Sequence, residues 1–113
     1  MENPIEKYKD NLPKPYLDFL VRNKSFEGDL GNEFGYIHLW DVKELKESWI
    51  GYKFQEYLGD EWFPIGSNLG GEIIAIKISS PNKELFYIPF IPMSSKYAKL
   101  YCDDFSRLYN SIR

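Results

Sequence analysis

A chain of 113 residues, 43 % hydrophobic and 27 % charged, has the length and composition of one globular domain over residues 1–113, not of a disordered polypeptide. Its single cysteine, Cys102, excludes an intramolecular disulfide, and a net charge of −3 without a basic patch argues against nucleic-acid binding. The aromatics are the unusual component, with 9 Tyr, 8 Phe and 3 Trp, each able to bury ~150–250 Å² of a small core.

In chain order, Asn3-Pro4 opens a short helix, with Asn3 as cap and Pro4 at its first position. It should end near Asn11, because Pro13 disfavours a helical residue before it. Leu12-Pro13-Lys14-Pro15 leads into a second helix, whose apolar stripe is Tyr16, Leu17, Phe19, Leu20 and Val21 and whose expected end is near Asn23. A short strand is expected around Phe26, and Tyr36 to Trp40 alternates as a second strand. Asp41 and Glu44 have the spacing of a capping box for a third helix carrying Leu45 and Trp49 on one face, which Gly51 weakens. Trp62 to Ile65 reads as a short strand that Pro64 assigns to an edge or a strand end. The connection 66–71 needs positive φ at Gly70 or Gly71. Glu72–Ile78 and Glu84–Pro89 form a hairpin across the turn 79–83. Tyr101, Phe105, Leu108 (or Tyr109) and Ile112 recur at helical spacing, so the last helix is expected from Ser94 or Ser95, with Cys102 in its middle. The predicted class is α+β: a mostly antiparallel sheet of about four to six strands, with N-terminal helices and a C-terminal helix packed on it.

The residue inventory points away from catalysis. One His and one Cys cannot build an imidazole- or thiolate-rich metal site, and no carboxylate loop of calcium-binding spacing is present. His38 alternates with Tyr36 and Trp40 and reads as structural or surface. Cys102 lies beside Asp103 and Asp104, which disfavour a thiolate. The glycine loop lacks the Lys-Ser/Thr of a phosphate loop and precedes a strand. The expectation is no enzyme, no catalytic residue, no metal and no cofactor. The N-terminus predicts no secretory signal, and the longest apolar run, Ile73 to Ile76, is far short of the ~20 residues of a membrane span, so the expected setting is cytoplasmic. Charge is uneven: residues 27–61 hold nine acids against three lysines, a net −6, which reads either as a solvated surface or as a field for a basic partner.

In this order the chain resembles the SUKH superfamily from about Leu12 onward. The resemblance is carried by Leu12-Pro13-x-x-Tyr16-x-x-Phe19-Leu20, by Tyr36 to Trp40 with the helix after it, by Phe63-Pro64-Ile65-Gly66-Ser67-Asn68-Leu69-Gly70-Gly71-Glu72 before a buried strand, and by a closing helix with Phe105 and Leu108. Asn23-Lys24-Ser25 stands where the family often has Asn-Gly, and Glu72 where it usually has Asp. The resemblance assigns structural roles to Pro64, Gly66, Gly70, Gly71, Glu72 and Phe105. It implies binding without turnover: bacterial relatives neutralise a toxin, often a nuclease, and a eukaryotic relative regulates cell-wall synthesis. The expected partner is then a protein, a basic toxin domain foremost, with no nucleic acid and no membrane, and the expected state is a monomer. A partner face is expected from Trp40, Asp41, Glu44, Glu47, Tyr52, Asp60 and Glu61, where acids speed encounter and rings anchor the complex. Trp49 and Trp62 read equally well as core. A regulatory scaffold and a small-ligand-binding domain are the alternatives.

Overall fold

A computed structural model describes residues 3–22 and 25–112, so Asn23, where the second helix was expected to end, and Lys24 lie outside it. The chain begins with α1 (Pro4–Tyr8), capped by Asn3, whose side chain accepts a hydrogen bond from the Ile5 N–H at 2.9 Å. It runs on as a 3-10 turn at Lys9–Asn11 and then as α2 (Lys14–Arg22). β1 (Phe26–Asp29) and β2 (Tyr36–Leu39) form a hairpin, followed by α3 (Val42–Tyr52) and α4 (Phe54–Leu58). β3 (Trp62–Ser67), β4 (Glu72–Lys77), β5 (Leu85–Pro89), β6 (Lys99–Cys102) and α5 (Phe105–Ile112) complete the α+β fold.

All six strands join one antiparallel sheet in sequence order, each pairing with its chain neighbour. The sheet curls until its ends meet. The Tyr101 hydroxyl of β6 donates to the Phe34 carbonyl in the β1–β2 loop at 3.0 Å, and the two rings meet edge to face at 5.9 Å. One face carries Phe63, which touches Tyr8 of α1, Tyr16 of α2 and Trp49 of α3. Tyr16 and Phe19 in turn hold Phe105 of α5 at 5.2 and 5.7 Å. On the opposite face Trp62 meets Phe86 at 5.3 Å, beside buried Ala75, a small residue that leaves room for both rings. Every residue of β3 is buried, as a strand covered on both faces requires.

Three expectations are corrected. Pro64 lies inside β3, an interior strand of the sheet: it pairs with Ala75 of β4, while the pairing with β2 is confined to Gly66 and Ser67, beyond a register shift between Pro64 and Gly66. Gly66 and Ser67 belong to that strand and not to the connection after it. The closing helix begins at Phe105: Ser94 caps only a 3-10 turn at Ser95–Tyr97, and Tyr101 and Cys102 lie on β6, with Cys102 paired to Leu85. The helical spacing of residues 101, 105 and 108 arises from a strand end followed by a helix. α3 continues one residue past Gly51, and Lys53, with φ 57°, separates it from α4.

Candidate partner-binding trough

α3 follows β2 directly, so its first turn stands over the end of that strand. The junction is fixed by the predicted capping box: Asp41 Oδ1 accepts the Glu44 N–H at 2.8 Å, and Glu44 Oε1 accepts the Asp41 N–H at 3.0 Å. The other carboxylate oxygen of Glu44 lies 3.2 Å from His38 Nε2. Between helix and strand runs an open trough of about 460 Å³. Glu44, Glu47, Ser48 and Gly51 line it from α3, His38 and Trp40 from the strand side, and Tyr52 from the helix end.

Trp40, Glu44, Glu47 and Tyr52, four of the seven expected partner residues, therefore share one concavity. Trp40 is 5 % exposed and stacks on Phe54 at 5.9 Å, so it forms a rigid wall and not a projecting anchor. Tyr52 is 47 % exposed, braced by Phe54 at 5.5 Å and Phe90 at 4.8 Å. The other three do not line the trough. Asp41 serves the cap. Asp60 accepts hydrogen bonds from the Tyr8 hydroxyl at 2.5 Å and from Gln55 Nε2 at 3.2 Å, and Glu61 accepts from Ser79 Oγ at 3.3 Å. Elsewhere in the acidic segment, Glu27 accepts from the Tyr36 hydroxyl and Glu33 pairs with Arg107. The net −6 is thus dispersed, with Glu44 and Glu47 as its share in the trough. Trp49 and Trp62 are core, and the Trp49 indole donates to the Pro64 carbonyl at 3.1 Å.

His38, Ser48 and Gly51 were missed as lining residues. Their signals lay in the sequence: His38 alternates with Trp40 on a strand, and Ser48 and Gly51 follow Glu44 by four and seven residues. The motif residues hold the frame instead. A Cβ on Gly66 would stand 2.2 Å from the His38 carbonyl oxygen, so glycine lets β3 approach the strand that bears the trough. In the β3–β4 connection, Leu69 and Gly71 have positive φ, 61° and 95°, while Gly70 does not. Asn68 ties this loop together, accepting the N–H groups of Gly70 and Glu72 and donating to the Glu72 carboxylate at 3.0 Å.

The remaining chemistry is sparse. Burial, followed by the Asp103 and Asp104 carboxylates, pushes the Cys102 thiol above its ordinary range, the wrong direction for a nucleophile. Among the described residues, no three His, Cys, Asp or Glu side chains gather as a metal site, and no helix is long and apolar enough to cross a membrane. No curated protein matches the chain. A family model does, from residue 5 to residue 111, which spans all six strands and everything that lines the trough. On that match the chain belongs to the SMI1/KNR4 family (SUKH-1).

Proposed function

We propose that this chain is a non-catalytic protein-interaction domain that binds and neutralises a basic, nuclease-type toxin domain in the cytoplasm, acting as a monomer. Family membership supports a role of the toxin-immunity or cell-wall-regulator type, exercised through protein binding. The observation that carries the toxin reading is the trough, where two carboxylates of α3 share one open concavity with Trp40 on the strand side and Tyr52 at the helix end. Nucleases carry basic surfaces to hold phosphates, and a complementary acidic face speeds encounter while aromatic contacts slow release. The single cysteine suits a reducing compartment.

The test is capture with the tagged full chain from lysate of the native cell, followed by co-expression of each captured protein with and without the chain. The expected result is a basic polypeptide that is toxic alone and harmless with the chain. Its association with Glu47→Lys should be at least about tenfold slower at low salt, with a flatter salt dependence. Captured proteins without toxicity would move the assignment to a regulatory scaffold. An unchanged association rate for Glu47→Lys would remove the trough from the interface.

A further inference from the structure

The trough is chemically more specific than a patch of negative charge. Glu44, Glu47, Ser48 and Gly51 stand at i, i+3, i+4 and i+7 on α3, so they form one continuous wall about 10 Å long. Glu44 is committed: its two oxygens serve the Asp41 N–H and His38 Nε2. Glu47 is exposed and makes no hydrogen bond or ion pair with a described residue. At Gly51 nothing lies within 4 Å of the place a Cβ would take, so that end of the wall is open. Across from this wall stands Trp40, backed by Phe54, and at the end of α3 itself stands Tyr52, backed by Phe54 and Phe90. The site therefore offers one uncommitted carboxylate, a second carboxylate already fixed by its cap, and flat, immobilised rings.

A compact ammonium can pair with a carboxylate or sit over a ring, but it is strongly hydrated and has no planar fork or face. A guanidinium can use both kinds of group at once: its planar fork matches a carboxylate in two parallel hydrogen bonds, and its face stacks on an aromatic ring. Its apolar stem can lie along Trp40. From this chemistry we propose that the trough is a receptor for a single arginine side chain of the protein partner, forked on Glu47 and stacked on Tyr52. The proposal rests on the partner-binding reading above and narrows it to one residue type.

The full chain, labelled with nitrogen-15, is titrated with N-acetyl-arginine methylamide, with the matching lysine derivative and with free arginine, each to about 100 mM, a range that covers millimolar Kd. The expected result is that the arginine derivative shifts the Trp40 indole N–H and the Glu47 and Tyr52 amides. The lysine derivative should bind at least about fivefold more weakly. Glu47→Gln should weaken arginine binding by about tenfold while its spectrum stays dispersed, and Tyr52→Leu should abolish the preference over lysine. A flat response, equal binding of arginine and lysine, or an unchanged Glu47→Gln titration overturns the proposal. Free arginine binding more than about tenfold tighter than the blocked derivative overturns it too, because the trough would then be a small-molecule site. If a basic toxin is captured through the trough while the arginine derivative stays silent, the arginine receptor falls and the partner reading stands. If the derivative binds as expected and no protein is captured, the partner reading falls.

Discussion

Gly66 and Gly71 stand five residues apart in one motif, and glycine is there for different reasons. At Gly66 the constraint is space: a Cβ would meet the His38 carbonyl oxygen at 2.2 Å and the Leu39 Cα at 3.0 Å, both backbone atoms that move only if β2 separates from β3. At Gly71 the space is open and the constraint is φ of 95°. Gly66→Ala is therefore expected to cost about 3 kcal/mol or more, and Gly71→Ala about 1–2 kcal/mol, read as urea unfolding free energies. Equal costs would contradict the distinction. The need for glycine was legible at Gly70 or Gly71, because a turn before a strand asks for positive φ, and the structure places it at Gly71. It was not legible at Gly66, because the clash is with a residue 28 positions earlier. Nor was the interior place of β3, since a proline in a strand signals an edge, and Pro64 stands where the pairing with β2, confined to Gly66 and Ser67, does not reach.

Among the elements, α3 was the easiest to read and α5 the hardest. The start of α3 lies within four residues: the Asp41 and Glu44 side chains reach each other's backbone N–H without help from the rest of the fold. Asp41→Ala is expected to lower stability by about 1 kcal/mol and Asp41→Asn to retain most of it, as urea midpoints would show. Because the same bond orients Glu44 in the trough, Asp41→Ala should also weaken partner binding. At the other end of the chain, the helical spacing of Tyr101, Phe105, Leu108 and Ile112 concealed a strand. Tyr101 and Cys102 are strand residues because β5 presents an open edge to their segment, a pairing that joins Leu85 to Cys102 and Tyr87 to Lys99. The true helix start was also present, as Asp104, whose Oδ1 accepts the Arg107 N–H at 3.1 Å, but Ser94 and Ser95 offered an equally good cap earlier.

At the scale of the whole molecule, the rings prominent in the composition supply much of the core. Tyr16 is fully buried between Phe19, Phe63 and Phe105, and its hydroxyl finds no hydrogen-bond partner among the described residues. Burial raises its pKa, and burial followed by interactions with Tyr87 raises that of Tyr101, the residue that closes the curled sheet. A raised pKa means that folding favours the protonated phenol. That stability is fully present below the ordinary tyrosine value of about 10 and is lost as pH rises above it. Alkaline unfolding is the expected outcome, and Tyr16→Phe should flatten the fall by about 1.4 kcal/mol per pH unit above pH ~10. It should leave neutral-pH stability equal or higher, since an unpaired hydroxyl leaves the core. Thermal unfolding followed from about pH 7 to pH 12 would check both. The sequence by itself determined what is local or compositional: the α+β class, most strands and helices, the cap of α3, an aromatic core, and the family through its ordered motifs. Only the tertiary structure decided which of the acids are tied to other side chains and which line the trough. Asp60, Glu61, Glu27 and Glu33 have hydrogen-bond or ion-pair partners elsewhere, while Glu47 stands in a trough with Trp40 and Tyr52. Charge is written in the sequence one residue at a time, but its direction is set by the strand and helix that carry it and by the partners they bring within reach.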